Sequence, residues 1–534
     1  MTASPSPPIA PRQLQALLLT NAELALLDVR EARAFVDAHL NLARMAPLSG
    51  LELEVRDTVP RLGTPVVLVD GGEPDGPASI AATLLRRMGY TDVRVLAGGI
   101  AGWNDQALPL IDGYGTLVKA FGDQVRRHRA VPSVQGDALR HRLLADGKPI
   151  LIDVRPADEY AFLSLAGAGN HAGTELALRD WSADMPTAPW VINCFTRTRG
   201  IIGTATLRLL GHPDAHFLED GVMRWALDGA PAVQNARPAV ALPAAHDDVL
   251  RRRADALIAR HALPLVDAGA LSRLPADADR TLYLFDLRPQ AVIDAARPGV
   301  RAVPGGQLLM HFEQWVGTRG ARIVLLDEPH RLRAAVTAFW LTQLNQAEVF
   351  ILDGELPARW LADANVADAD RAGAADRLSP LALAALLQDT PARTSIVDVG
   401  PSADFERRHL PRAHYLLPFT LEPLAALQPE AHRIVFTSPD GRAARLAARD
   451  ARARWPGCAA QWLDGGTDAW LQAGLPIEQT WEPAQLLTSF EDDWGSVMRV
   501  PASRRDRTWA DYLRWERALS ARVALDPTVK FRLL

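Results

Sequence analysis

The chain has 534 residues, 48% of them hydrophobic, which suits three to five separately cored domains. Its 58 basic and 63 acidic residues leave a formal charge of −5, without the clustered basic excess that a nucleic-acid partner requires. Two cysteines, Cys194 and Cys458, exclude a disulfide framework, and no apolar run approaches the ~20 residues of a membrane span.

The start, Met1 to Arg12, is rich in Ser and Pro and carries no basic leader. The apolar stretch 14–19 is too short for a secretory core, so a cytoplasmic protein is expected. Four apolar runs then end in an acidic residue: LALLDVR at Asp28, PILIDVR at Asp153, LYLFDLR at Asp286 and TSIVDVG at Asp398. Aliphatic and β-branched residues run together in each without alternation, the pattern of a strand buried on both faces. Arg30, Arg155 and Arg288 follow two positions on, and the fourth run has Gly400 there. A second apolar strand follows each first one: PVVLVD to Asp70, WVINC to Cys194, IVLLD to Asp327 and IVFTS to Ser438. The gap between the two strand ends stays within 40 to 42 residues in all four copies, which marks an internal repeat. Helical stretches such as 201–210 and 443–451 come next, then a third strand and a glycine turn: Gly98-Gly99, Asp220-Gly221, Asp353-Gly354 and Gly465-Gly466. Trp103, Trp225 and Trp470 lie four residues past the turn, and Trp360 lies six past it.

Strands alternating with helices at this spacing predict an α/β protein of four tandem modules, each a mostly parallel sheet with helices on both faces. The modules are placed at residues 10–113, 130–235, 245–362 and 379–478, with 479–534 as a non-repeating helical extension. In that extension Trp509, Tyr512, Trp515 and Leu519 have helical spacing, expected of an amphipathic helix packed on the modules.

Parallel sheets place ligands at the carboxyl ends of their strands. Among the four residues ending the second strand of each module, Cys194 is the one good nucleophile. Its loop reads Cys194-Phe195-Thr196-Arg197-Thr198-Arg199-Gly200, and helix is predicted to begin at once. Such a loop aims backbone N–H groups and a helix N-terminus into one bowl. With two arginines beside it, the thiol is expected to fall from an ordinary pKa of ~8.5 toward ~3.5–7.5. The same donors that hold a thiolate would hold a persulfide, with no metal or organic cofactor needed.

The Asp-Val-Arg strand end, the Cys-x-x-x-x-Arg loop and the Asp-Gly…Trp turn resemble the rhodanese family, and the four-module layout is similar to a bacterial multidomain sulfurtransferase. Such loops commonly read Cys-Ala-Gly-Arg-Thr-Arg. Cys194, Arg197, Thr198 and Arg199 match, whereas Phe195 and Thr196 depart from it. The resemblance implies persulfide chemistry at Cys194, with Phe195, Thr196, Arg197, Thr198 and Arg199 around the donor and the two arginines binding its charge. The expected partners are a small anionic sulfur donor such as thiosulfate and a thiol or cyanide acceptor, with neither nucleic acid nor membrane.

Other readings stand beside this one. A cysteine phosphatase of related fold needs its arginine six residues after the cysteine, where this chain has Gly200. A non-catalytic persulfide carrier or regulatory binding protein is the alternative that three modules without a cysteine suggest. Cys458 is expected in the core, Asp153 with Arg155 in a structural pair, the 167–173 glycine-rich segment as a loop facing the bowl, and His171 at the surface. Asp70 and Asp327 cannot carry sulfur, and Ser438 lacks the acidity of a thiol. Their modules are expected to be scaffold.

Overall fold

The computed structural model describes residues 7–145, 148–181, 189–238, 242–274, 280–289, 299–357, 376–389, 393–427 and 432–534. Four five-stranded sheets follow one another along the chain. Numbering the strands of each sheet in chain order, all four run 1-5-4-2-3 from edge to edge, and the pairs within them are parallel. The second sheet, for example, runs Ser133–Val134, Ala215–Leu218, Trp190–Asn193, Ile150–Asp153 and Gly169–Asn170. A separate antiparallel pair, Ser164–Leu165 with Ala232–Val233, closes one side of this module.

The constant 40–42 residue gap is a consequence of strand register. The two central strands pair so that Asp28 lies opposite Val69, Asp153 opposite Asn193, Asp286 opposite Leu326 and Asp398 opposite Thr437. The next residue in each case, Asp70, Cys194, Asp327 or Ser438, therefore emerges at the carboxyl edge of the sheet. Arg155 locks this edge in the second module. Its guanidinium clasps Asp153 at 2.7 and 3.0 Å and reaches the Leu163 carbonyl, while Asn193 donates to Asp153 from across the strand pair. Arg30 and Arg288 clasp Asp28 and Asp286 in the same way. The repeated tryptophans share one role, closing the segment after the glycine turn. The indoles of Trp103, Trp225 and Trp470 donate to the carbonyls of Pro109, Pro231 and Pro476 at 2.8–2.9 Å. Trp360 lies outside the described residues.

Four helices position the second module's loop. They are α1 (Thr116–His128), between the first and second sheets; α2 (Thr198–Leu209), directly after the Cys194 loop; α3 (Gly221–Leu227), after the glycine turn; and α4 (Ala502–Val523), near the end of the chain. The second and third modules share one apolar core, in which Phe121, Ile201 and Phe217 meet Phe285, Phe339 and Trp340. Helix Leu332–Leu344 is buried almost all round, as a helix between two modules must be. Helix α4 packs along α1 and contributes Trp509 and Leu513 to the second module's core. At roughly 1.5–3 kcal/mol for each fully buried large apolar side chain, those two anchor it firmly. Beyond α4, the Leu534 N–H donates to Gln343 and its carbonyl accepts from Arg129, which ties the tail to the third module and to the residue after α1. Among the described residues no helix is long and apolar enough to cross a membrane.

Candidate functional site

The loop from Cys194 to Gly200 joins the strand Trp190–Asn193 to α2. Its carbonyls are turned outward: those of Cys194 and Phe195 accept from the Val222 and Met223 N–H groups, each at 2.9 Å, in the first turn of α3. The glycine turn makes this approach feasible. Asp220 and Gly221 both adopt left-handed backbone, with φ of 57° and 58°, and a Cβ on Gly221 would fall 2.3 Å from the Cys194 oxygen. Gly99 and Gly466 make the same approach to their own loops, whereas a Cβ on Gly354 of the third module would meet nothing within 4 Å among the described residues.

With the carbonyls committed outward, the Gly200 N–H reaches the Cys194 sulfur. The sister modules fill the equivalent bowls with their own side chains. Asp70 accepts from the Gly72 and Ala78 N–H groups at 2.9 and 3.1 Å, and Asp327 from Glu328 and Ala334 at 2.8 and 3.1 Å. Ser438 accepts from Ala444 at 3.3 Å. Each carboxylate thus occupies the place that the Cys194 sulfur takes in the second module.

The expectation of a thiol held below its ordinary range is corrected. Cys194 is only 2% exposed, and burial pushes the thiol above its ordinary value. Arg199 and the Gly200 N–H pull it back, while Asp153 and Glu516 push it further up. The bowl is covered, and the cover outweighs the dipoles.

The five residues expected around the donor separate. Arg199 acts on Cys194 and forms a two-pronged pair with Glu159 at 2.7 and 2.6 Å. It also lines a mostly apolar cavity of about 60 Å³ between the second and third modules, together with Thr198, Gly173 and Gly306. Arg197 as an anion binder is a second correction. Its two terminal nitrogens are taken by Asp123 of α1 at 2.9 Å, by Asp220 at 3.1 Å, and by Glu219. The side chain is a buried strut between the loop, α1 and the glycine turn. Phe195 is a third: its ring is buried edge-on against Phe162 and Trp509, with the Arg155 guanidinium 5.5 Å from its centre, so only its backbone belongs to the loop wall. Thr196 donates its hydroxyl to Glu516 at 3.2 Å. Thr198 starts α2 with its methyl group packed against α1 at Gly122.

Residues distant in sequence complete the surroundings. Tyr512 and Glu516 stand one turn apart on α4, on the face toward Cys194 and Arg199. Lys119 of α1 sits near Glu516, Glu313 and Arg199. His311 and Glu313 reach in from the third module. Burial lowers His311 to about 4 and raises Glu313 to about 7. No local motif marks any of these in the sequence, although the helical spacing through Tyr512 places Glu516 on the same face. His171, expected at the surface, is buried; its Nε2 accepts from the Leu242 N–H at 3.3 Å, and burial lowers its pKa to about 4. Cys458 lies in the core of the fourth module.

The family model described as Rhodanese-like domain matches residues 10–106, 137–228 and 379–473. The chain is similar to the crystal structure of a thiosulfate sulfurtransferase from Pseudomonas aeruginosa. The two are 34% identical with a TM-score of 0.89, over 99% of this chain and 100% of that one. Two smaller structures each cover 20% of this chain. They are the Alr3790 protein from Anabaena sp. (24% identity, 91% of that chain, TM-score 0.18) and a rhodanese-related protein from Thermoplasma volcanium (12% identity, 98% of that chain, TM-score 0.17). No curated protein matches the chain at a significant level.

Proposed function

The chain belongs to the rhodanese-like domain family, and from that premise we propose that it is a sulfurtransferase in which Cys194 carries sulfane sulfur. The Cys194 thiolate attacks the outer sulfur of an anionic donor such as thiosulfate. A new S–S bond forms to Cys194, the donor's S–S bond breaks, and its electron pair leaves with sulfite. A thiol or cyanide then attacks the terminal sulfur of the persulfide, and Cys194 departs as thiolate.

The observation that carries this reading is the direction of the loop. The Cys194 and Phe195 carbonyls are tied to α3, and the sulfur faces a backbone N–H and the Arg199 guanidinium. Such donors stabilise negative charge on one sulfur or on two. Thiosulfate is favoured as donor because the full-length relative at 34% identity is a thiosulfate sulfurtransferase. The donor site is assigned to Arg199 and to the loop backbone from Phe195 to Thr198. The modules at 10–113, 245–362 and 379–478 are assigned as scaffold, since Asp70, Asp327 and Ser438 occupy their own bowls.

The test is to incubate the protein with thiosulfate, look for one added sulfur atom on the Cys194 peptide by mass, and follow turnover with cyanide. Cys194→Ser is expected to abolish both. Turnover that survives this change overturns the assignment.

A further inference from the structure

We propose that Glu516, on α4, is a donor-binding residue of the Cys194 site: as a neutral carboxylic acid it gives the hydrogen on Oε2 to an oxygen of the sulfur donor. This role rests on the sulfur-transfer reading above and narrows its substrate class. It selects donors that end in an oxyanion, of the thiosulfate or thiosulfonate kind, over uncharged persulfides.

Glu516 leaves one of its two oxygens unmatched above the loop. Glu516 is 5% exposed, and its Oε1 accepts the Thr196 hydroxyl at 3.2 Å, inside the Cys194 loop. Its Oε2 is buried with no hydrogen-bond partner among the described residues. A buried acceptor without a donor is destabilising, and more so when it is charged. Protonation at Oε2 changes the atom from an orphan acceptor into a donor that needs an acceptor, and an oxyanion in the bowl is that acceptor.

Burial favours the same state against most of the neighbouring groups. Lys119 and Asp123 face Glu516 from α1, Arg197 and Thr196 from the loop, Cys194 from the strand end, and Tyr512 from its own helix. Arg197 is committed to three other carboxylates, and the Lys119 ammonium donates to the Tyr114 carbonyl. Burial raises the Glu516 carboxyl above its ordinary range; Lys119, the Thr196 hydroxyl and Arg197 oppose this, and Asp123 adds to it. Once ionised, Glu516 repels the same donor, so donor affinity falls as pH rises.

Three variants test this through the KM and kcat for thiosulfate across pH. Glu516→Gln keeps an N–H at the Oε2 position at every pH. It is expected to hold KM flat where the KM of the unaltered protein climbs. Glu516→Leu removes the hydrogen bond and is expected to raise KM by about tenfold or more with kcat little changed. Identical pH profiles for the unaltered and Glu516→Gln proteins overturn the proposal, and Glu516→Gln decides alone if Glu516→Leu does not fold. Cys194→Ser separates the chemistry from the binding role. Transfer without the thiol defeats the sulfur-transfer reading itself, whereas an inert Cys194→Ser beside indifferent Glu516 variants defeats only the role given to Glu516.

Discussion

Asp398 is the place where the fourth module departs from its sisters, and replacing it with Asn should relieve a cost that grows with pH. Asp28, Asp153 and Asp286 are each clasped by an arginine two residues on, but Gly400 supplies no side chain. Nor is an arginine simply restored there, because a Cβ on Gly400 would lie 2.7 Å from Pro439. Asp398 is 3% exposed, and among the described residues its carboxylate accepts one hydrogen bond, from the Gly400 N–H at 2.8 Å. Burial, with a smaller push from Asp404 and against the pull of the Gly400 N–H, raises it from 3.8 to about 7. A carboxyl raised in the folded state adds stability below its unfolded pKa and loses it as pH climbs through the folded one. A shift of about three units, at about 1.36 kcal/mol each, puts the loss between about pH 4 and pH 8 near 4 kcal/mol. Asn keeps the acceptor for Gly400 and cannot ionise. Asp398→Asn should therefore match the unaltered protein at about pH 4 and exceed it by up to ~4 kcal/mol at about pH 8. A chain of several modules need not unfold in one step, so the assay is native-state hydrogen exchange at the Val399 amide, which donates to Thr437 at 2.9 Å inside this module. A difference that stays constant across the pH range refutes the reasoning.

Two further substitutions separate structural from chemical arginines. Arg197→Met should lower stability by about 3 kcal/mol, the low end for breaking a buried pair, because Asp123, Glu219 and Asp220 keep Arg127, Arg126 and Arg517. Its thermal midpoint should fall with little change in donor KM, and a large KM rise at unchanged stability would restore Arg197 as an anion binder. Arg199→Lys gives up the two-pronged hold on Glu159, and with it the guanidinium's pull on the thiol. The pH midpoint of Cys194 alkylation should move up, and an unmoved or lowered midpoint rejects Arg199 as the group that favours the thiolate.

The fourfold repeat was legible because register is written into spacing. Parallel neighbours of fixed offset hold the interval from Asp153 to Cys194 almost as tightly as they hold the strands themselves. The position of Cys194 followed from the same logic, as did the glycine turn whose reason is the close approach of Gly221 to the loop. Side-chain direction was not legible. Nothing local separates Arg197 from Arg199: one finds Asp123 on α1 and the other Glu159, and those partners are set by packing between elements. Phe195 reads as a neighbour of the donor from its position and turns out to be core, because Trp509 arrives from more than three hundred residues away to cover it. The raised thiol was no more legible, since its burial comes from packing among strands and helices of the second module, with a smaller push from Glu516 on α4.

That distance has a consequence for how the protein is made. Glu516 lies 320 residues beyond Thr196, the residue it meets. A ribosome therefore finishes the second module long before it translates the helix that roofs it. Throughout that interval the loop lacks the contacts of Thr196 to Glu516 and of Phe195 to Trp509, and a message cut short before codon 502 yields a polypeptide that never acquires them.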